Sequence, residues 1–257
     1  MIQSYLYTGN RHCEVNPSLE TARKAIREAS GMVWMDLDKP TPEELKVLSE
    51  VFNFHPLTIE DCVNVRHHPK IEDYDDYLFL ILHAPDLKSG TDQIRTNELD
   101  IFLGKHFVVT HHVENVASVA MMRERCERNP DTMMSRGTDF FLHALVDQLM
   151  ENYEPIVEDL AEEISWGEEE VFYNPDEKFL KAIVDLKKNI FYIHRIMAPQ
   201  RDTILHLSKG NSPLISERAR IYFRDTHALL YRIIDLLNVY RERLNGLAET
   251  YLILDNN

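Results

Sequence analysis

The chain has 257 residues, 44% of them hydrophobic, enough for one large domain or a compact domain with a long appendage. Lys and Arg total 28 against 43 Asp and Glu, a formal net charge of −15, which excludes nucleic acid as a partner because phosphate contacts need clustered basic side chains. The acidity fits either a solubilising surface or the attraction of cations and basic partners.

Cys13, Cys62 and Cys126 are odd in number and form no CxxC, which suggests a reducing cytoplasm rather than a disulfide framework or a thiolate zinc site. The opening MIQSYLYTGN lacks a basic segment followed by an apolar core, so no signal peptide is read there. The apolar run Tyr77 to Leu82 is far shorter than the ~20 residues a membrane helix needs.

In chain order, Ser4 to Tyr7 reads as a strand, and Asn16-Pro17 as an N-cap and first-turn proline opening a helix to Ala29. Met32 to Leu37 reads as a strand. Thr41-Pro-Glu-Glu44 is a capping box that predicts a helix to Phe52. A short helix follows over His55 to Asn64. Asp76 to His83, Glu98 to Leu103 and His106 to His111 read as strands, with Ser89-Gly90 and Gly104-Lys105 as turns. Val113 to Arg128 reads as a helix that Asn129-Pro130 ends.

From about Arg136 only long helical patterns remain. The spacing predicts two acidic helices over 138–171 and 175–207, a turn at Ser208 to Pro213, and a last helix over 214–257. The expected architecture is therefore α+β: an α/β/α sandwich over 1–135, then a long-helix domain over 136–257. In the last helix an apolar stripe runs through Ala219, Tyr222, Thr226, Leu229, Ile233, Leu236, Tyr240, Leu244, Leu247, Tyr251 and Leu254. A helix of ~40 residues is about 60 Å long, so the stripe must pack on other long helices, from this chain or from copies of it. The pattern is still in progress at Asn257, as though the helix continued.

Carboxylates supply the candidate ligands. Glu151 to Glu177 holds eleven acidic residues and no Lys or Arg, which reads as a solvated face or a loose cation reservoir. Glu60-Asp61 lies late in a short helix, where the dipole disfavours negative charge by ~0.3–1 kcal/mol; a metal cation, or a salt bridge to Arg66 or Lys70, would compensate. Asp147 and Asp225 lie beside the apolar stripes of their helices. Such hard oxygen donors suit Mg²⁺ or Ca²⁺ better than zinc. The pairs His67-His68 and His111-His112 lack zinc-site spacing and read as surface or satisfied core residues. GxSxG, P-loop and GxGxxG motifs are absent, so an enzyme is not expected.

Three segments together resemble the CorA family of magnesium and cobalt transporters: Phe54-His-Pro-Leu-Thr-Ile-Glu-Asp61, NVRHHPKIEDYDDY over 64–77, and Tyr222-Phe-Arg-Asp225 leading into Leu236-Leu-Asn-Val-Tyr240. The order of elements fits as well, and the likeness spans essentially the whole chain. The resemblance implies the cytoplasmic part of a homopentamer at the inner membrane, whose stalk helices line a funnel and continue into membrane helices beyond this sequence. It implies a regulatory Mg²⁺, or Co²⁺, held by Asp61 of one subunit and Asp225 of the next. A second site would use Glu60 and Asp147. The place of a further family ligand, a histidine, falls at Leu229, with His227 displaced by two. A zinc-transporting relative and a free-standing helical interaction protein remain as alternatives.

Overall fold

The computed structural model describes residues 1–64, 67–88, 93–173 and 176–255. Its sheet has the order β2-β1-β3-β7-β6-β5-β4. The strands are β1 Ile2–Gly9, β2 His12–Val15, β3 Met32–Asp38, β4 Lys70–Asp73, β5 Tyr77–Pro85, β6 Thr96–Gly104 and β7 Phe107–His112. Only β3 and β7 pair in parallel; the other neighbours are antiparallel.

Alternation along the strands sends side chains to two covered faces. Met35, Leu37, Phe79, Ile81, Phe102 and Val109 meet the first helices, α2 Pro42–Leu45, α3 Val47–Glu50 and α4 Pro56–Val63, while α1 Leu19–Arg27 covers Leu6 and Val33. On the opposite face lie α5 Ala117–Arg128, α6 Pro130–Met134 and α7 Thr138–Glu151. Trp34 is the anchor there, stacked on Tyr5 at 5.1 Å and tilted against Phe141 at 5.0 Å. The apolar core continues from this face into α8 Glu154–Glu170, α9 Glu177–Lys209 and α10 Glu217–Asp255. The α/β/α sandwich with long helices is as the sequence predicts.

Local chemistry explains most boundaries. The capping box at Thr41 forms in both directions, but the helix breaks at Lys46, whose N–H bonds three residues back to Glu43. Ser18, not Asn16, caps α1; Asn16 takes a positive φ of 54° and its Oδ1 accepts from the Ser4 amide at 2.9 Å. Gly137 precedes α7 with φ 105°, a conformation open to glycine. The helix expected over 138–171 divides at Asn152-Tyr153, because Pro155 in the first turn of α8 has no N–H to continue the ladder. Tyr153 fills the break, fully buried, and donates to the His83 carbonyl at 2.7 Å.

At 39 residues, α10 is roughly 58 Å long at 1.5 Å per residue. It lies along α7, α8 and α9. Its buried side is Ala219, Phe223, Thr226, Leu230, Ile233, Leu237, Tyr240, Leu244, Leu247 and Tyr251. Tyr222, Leu236 and Leu254 of the expected stripe are exposed. The sequence carries two adjacent apolar columns spaced by seven residues, 222/229/236 and 223/230/237, and the chain's own helices take the second. Gln200 on α9 locks the helices to the sheet, its Oε1 accepting from the His83 amide at 2.6 Å.

Candidate functional site

Packing fixes where the α4 carboxylates point. Phe54, Thr58 and Cys62 are buried at a spacing of four, so that face meets the sheet. Glu60 is therefore exposed and Asp61 half-buried. Asp61 Oδ2 accepts from Lys70 Nζ at 2.7 Å, and Asp61 Oδ1 stands 3.3 Å from His67 Nε2. Of the salt bridges considered from the sequence, the one to Lys70 forms; Arg66 lies outside the described residues. Lys70 also pairs with Glu72 at 2.7 Å. Burial alone would lower the Lys70 pKa, but its bonds to Asp61 and Glu72 outweigh that and hold it above the ordinary value. Inward from Asp61, His67 donates its backbone N–H to Glu98 Oε2 at 2.9 Å.

Asp147 and Asp225 lie on the other side of the sheet, where α7 meets α10. Thr226 Oγ1 donates to Asp147 Oδ1 at 2.7 Å, and His143 Nε2 lies 3.2 Å from the same hydroxyl. Burial lowers the His143 pKa, against the opposing pull of the Asp147 and Asp225 charges. Asp225 is exposed one residue before this bridge. Asp147 and the YFRD turn are thus joined within one chain, whereas Glu60 and Asp61 stand on the opposite face of the sheet. His227 has its pKa lowered by burial and then by Arg201 and Lys209, surroundings that disfavour another cation. The acidic run is partly balanced by the last helix: Arg243 grips Glu168 at 2.7 and 2.9 Å, and Arg232 reaches Glu154 at 2.8 Å.

The adjacent histidines at the end of β7 face opposite ways. His112 joins Asp36 and Arg123 on the Trp34 face. Arg123 donates to Asp36 Oδ2 at 2.5 Å, Thr110 donates to Asp36 Oδ1 at 2.6 Å, and His112 Nε2 stands 3.3 Å from Oδ1, close enough for attraction but poorly angled for a hydrogen bond. Burial would raise the Asp36 pKa, yet His112, Thr110 and Arg123 together hold it below the usual carboxylate range. His111 turns to the α4 face and bonds Asp100 at 2.8 Å through Nδ1. The sequence hid these partners, because Asp36 and Asp100 are distant along the chain.

Residues 29–257 match the model of the CorA-like Mg²⁺ transporter protein family. The chain belongs to that family. CorA-like proteins are transporters rather than enzymes. The chain is 28% identical over 224 residues to the putative metal ion transporter YfjQ of Bacillus subtilis, covering 87% of this chain and 69% of that protein. It is 27% identical over 229 residues to the cobalt/magnesium transport protein CorA of Thermotoga maritima, covering 88% and 65%. The soluble domain of CorA from Methanocaldococcus jannaschii superposes with a TM-score of 0.83 at 21% identity, over 99% of this chain and 97% of that one. The complete M. jannaschii CorA gives 0.84 at 20% identity, but this chain covers 78% of its length. The ZntB cytoplasmic domain from Vibrio parahaemolyticus shares the CorA-like fold at 0.79 and 13% identity. Among the described residues no helix is long and apolar enough to cross a membrane.

Proposed function

We propose that this chain is the cytoplasmic, divalent-cation-sensing part of a CorA-like Mg²⁺ or Co²⁺ transporter, with residues 1–135 as an α/β/α domain and 136–257 as a long-helix domain whose last helix, 214–257, is the stalk. It works as a homopentamer at the inner membrane, and conduction belongs to membrane helices outside these 257 residues. The observation that carries the reading is the placement of Asp61 and Asp225 on opposite faces of one chain: side-by-side copies can present the α4 face of one to the α10 face of the next. Asp61 of one copy and Asp225 of its neighbour then hold Mg²⁺, with Glu60 and Asp147 as a second site. The exposed column Tyr222, Leu236 and Val239 on α10 supplies an apolar seam for neighbouring copies.

Two unit charges 4 Å apart at an effective dielectric near 20 repel by about 4 kcal/mol. Lys70 offsets part of this within the chain, and a divalent cation reverses the sign. Repeated around the ring, the bound cations favour the closed arrangement, and their loss shifts the population towards opening. Asp61→Ala and Asp225→Ala are each expected to abolish Mg²⁺ protection of the full-length transporter against protease. Unchanged protection in both variants refutes the inter-subunit site.

Because Lys70 competes with the cation for Asp61, Lys70→Ala is expected to tighten Mg²⁺ protection by up to about 5-fold, the worth of a partly exposed ion pair. A Mg²⁺ titration of protease resistance measures it.

The ZntB-like fold favours one second reading, a zinc-transporting relative. Thermal-shift titrations with Zn²⁺ and Mg²⁺ separate the two; stabilisation by Zn²⁺ that Asp225→Ala removes, with none by Mg²⁺, selects the zinc transporter.

A further inference from the structure

The register of β6 and β7 sets Asp100 opposite His111, so both side chains leave the sheet on the face covered by α4. The spacing of α4 turns Cys62 down onto the same spot. Each of the three residues offers one ligand atom, and these atoms all lie within 4.8 Å of one another. All three are almost fully buried, at 1% exposure for Cys62, 1% for Asp100 and 2% for His111.

The second observation is Asp100 itself. Its Oδ2 bonds His111, and its buried Oδ1 meets no donor in good hydrogen-bond geometry, although the Cys62 thiol is placed to donate to the same carboxylate. A buried acceptor left unmet costs roughly 1–3 kcal/mol, and such atoms are rare enough in folded proteins to need a reason. A cation between Oδ1, the thiol and the imidazole would supply it, taking the Nδ1 lone pair in place of the Asp100 Oδ2 bond and leaving the imidazole proton on Nε2. The charges also fit: one thiolate and one carboxylate with a neutral imidazole carry two negative charges, which a divalent ion cancels inside the apolar layer.

We propose that Cys62, Asp100 and His111 form a buried site for a thiolate-accepting divalent ion, Zn²⁺ or Co²⁺, with one position left for water. This mixed sulfur, oxygen and nitrogen set is the donor chemistry of tetrahedral zinc and cobalt sites and is unsuited to Mg²⁺, which takes oxygen ligands. Burial pushes the Cys62 thiol well up, and the Asp100 charge, the thiol's hydrogen bond to Asp100 and the Asp61 and Glu98 charges add to this, so the ion must displace the thiol proton to solvent as it binds. The site is separate from the proposed Asp61–Asp225 pairing, since it needs no second copy. It lies one residue inward from Asp61, so its filling would stiffen the helix that carries the surface carboxylate.

The test uses the purified chain titrated with Co²⁺ in excess Mg²⁺ and followed by absorption. The expected result is a thiolate-to-cobalt charge-transfer band with intense tetrahedral bands in the visible, saturating at a single cobalt per chain and erased by Zn²⁺. Cys62→Ser should remove the charge-transfer band, and Asp100→Asn should weaken binding at least 10-fold, the lower end of what even outer-sphere partners cost. The double variant Cys13→Ser/Cys126→Ser and the single variant Asp225→Ala should keep the full spectrum. The wild-type spectrum alone is decisive if a variant fails to fold: only the weak spectrum of hydrated cobalt, or bands that survive Zn²⁺, overturns the proposal. Bands that persist in folded Cys62→Ser, or vanish in Cys13→Ser/Cys126→Ser, overturn it equally.

Discussion

Asp36→Ala is expected to lower the unfolding free energy by about 3–5 kcal/mol, the cost of removing one partner from a buried charge pair. Asp36 is inaccessible to solvent and is the common partner of Arg123, Thr110 and His112. Without it, Arg123 keeps its charge at the edge of the core, with its Nε already buried and unmatched. Trp34 Nε1 donates to Thr110 at 3.1 Å, so the loss reaches the central aromatic stack. The linkage has a definite sign. Because the folded pKa of Asp36 is depressed, its contribution is complete above the ordinary carboxylate value of about 3.9 and below the range where His112, whose pKa Asp36 raises, loses its proton. It disappears as pH falls through the lower folded value. Urea unfolding at a series of acid pH values should show wild type converging towards Asp36→Ala. A gap that stays constant would mean that the carboxylate charge is not the cause.

Phe223→Ala is the second large effect, about 3–5 kcal/mol for emptying a buried aromatic position. Phe223 is fully buried and meets His143 edge-on at 5.2 Å, which makes it the peg joining α10 to α7. The neighbouring Tyr222, 41% exposed, is the control: Tyr222→Ala should cost the isolated chain far less, because its contacts with Phe140, His143 and the Arg136 guanidinium are made from a ring left partly in solvent. Denaturant unfolding of the two variants side by side decides. Equal losses would mean that both columns of α10 carry the internal bundle.

That pair of residues also marks how far the sequence could be read. Heptad spacing predicts a long packed helix, but it cannot choose between 222/229/236 and 223/230/237, since both columns are apolar. The choice is made by α7 and α9, through contacts distant in sequence. The capping box at Thr41, the proline opening α4 and the glycine before α7 were legible because each acts within four residues. The strands β2 and β4 were not, because HCEV and KIED are short and polar. Asp61 was found as a candidate ligand from its place in α4, and its salt bridge to Lys70 was among the alternatives. The meeting of Cys62, Asp100 and His111 was hidden, because strand register rather than spacing brings them together. The apparent His111-His112 pair is divided between two faces by the pleat.

The two borders of the sheet, β2 and β4, are four residues each. Just before β4 begins opposite Ile81, the Gln200 side chain occupies the backbone amide of His83 that a longer strand would have claimed. So little open ladder remains that an incoming extended segment gains few main-chain bonds, and ribbon-like stacking of molecules is disfavoured from the outset. In the proposed ring, recognition between copies would then fall to side-chain surfaces, which release as readily as they join.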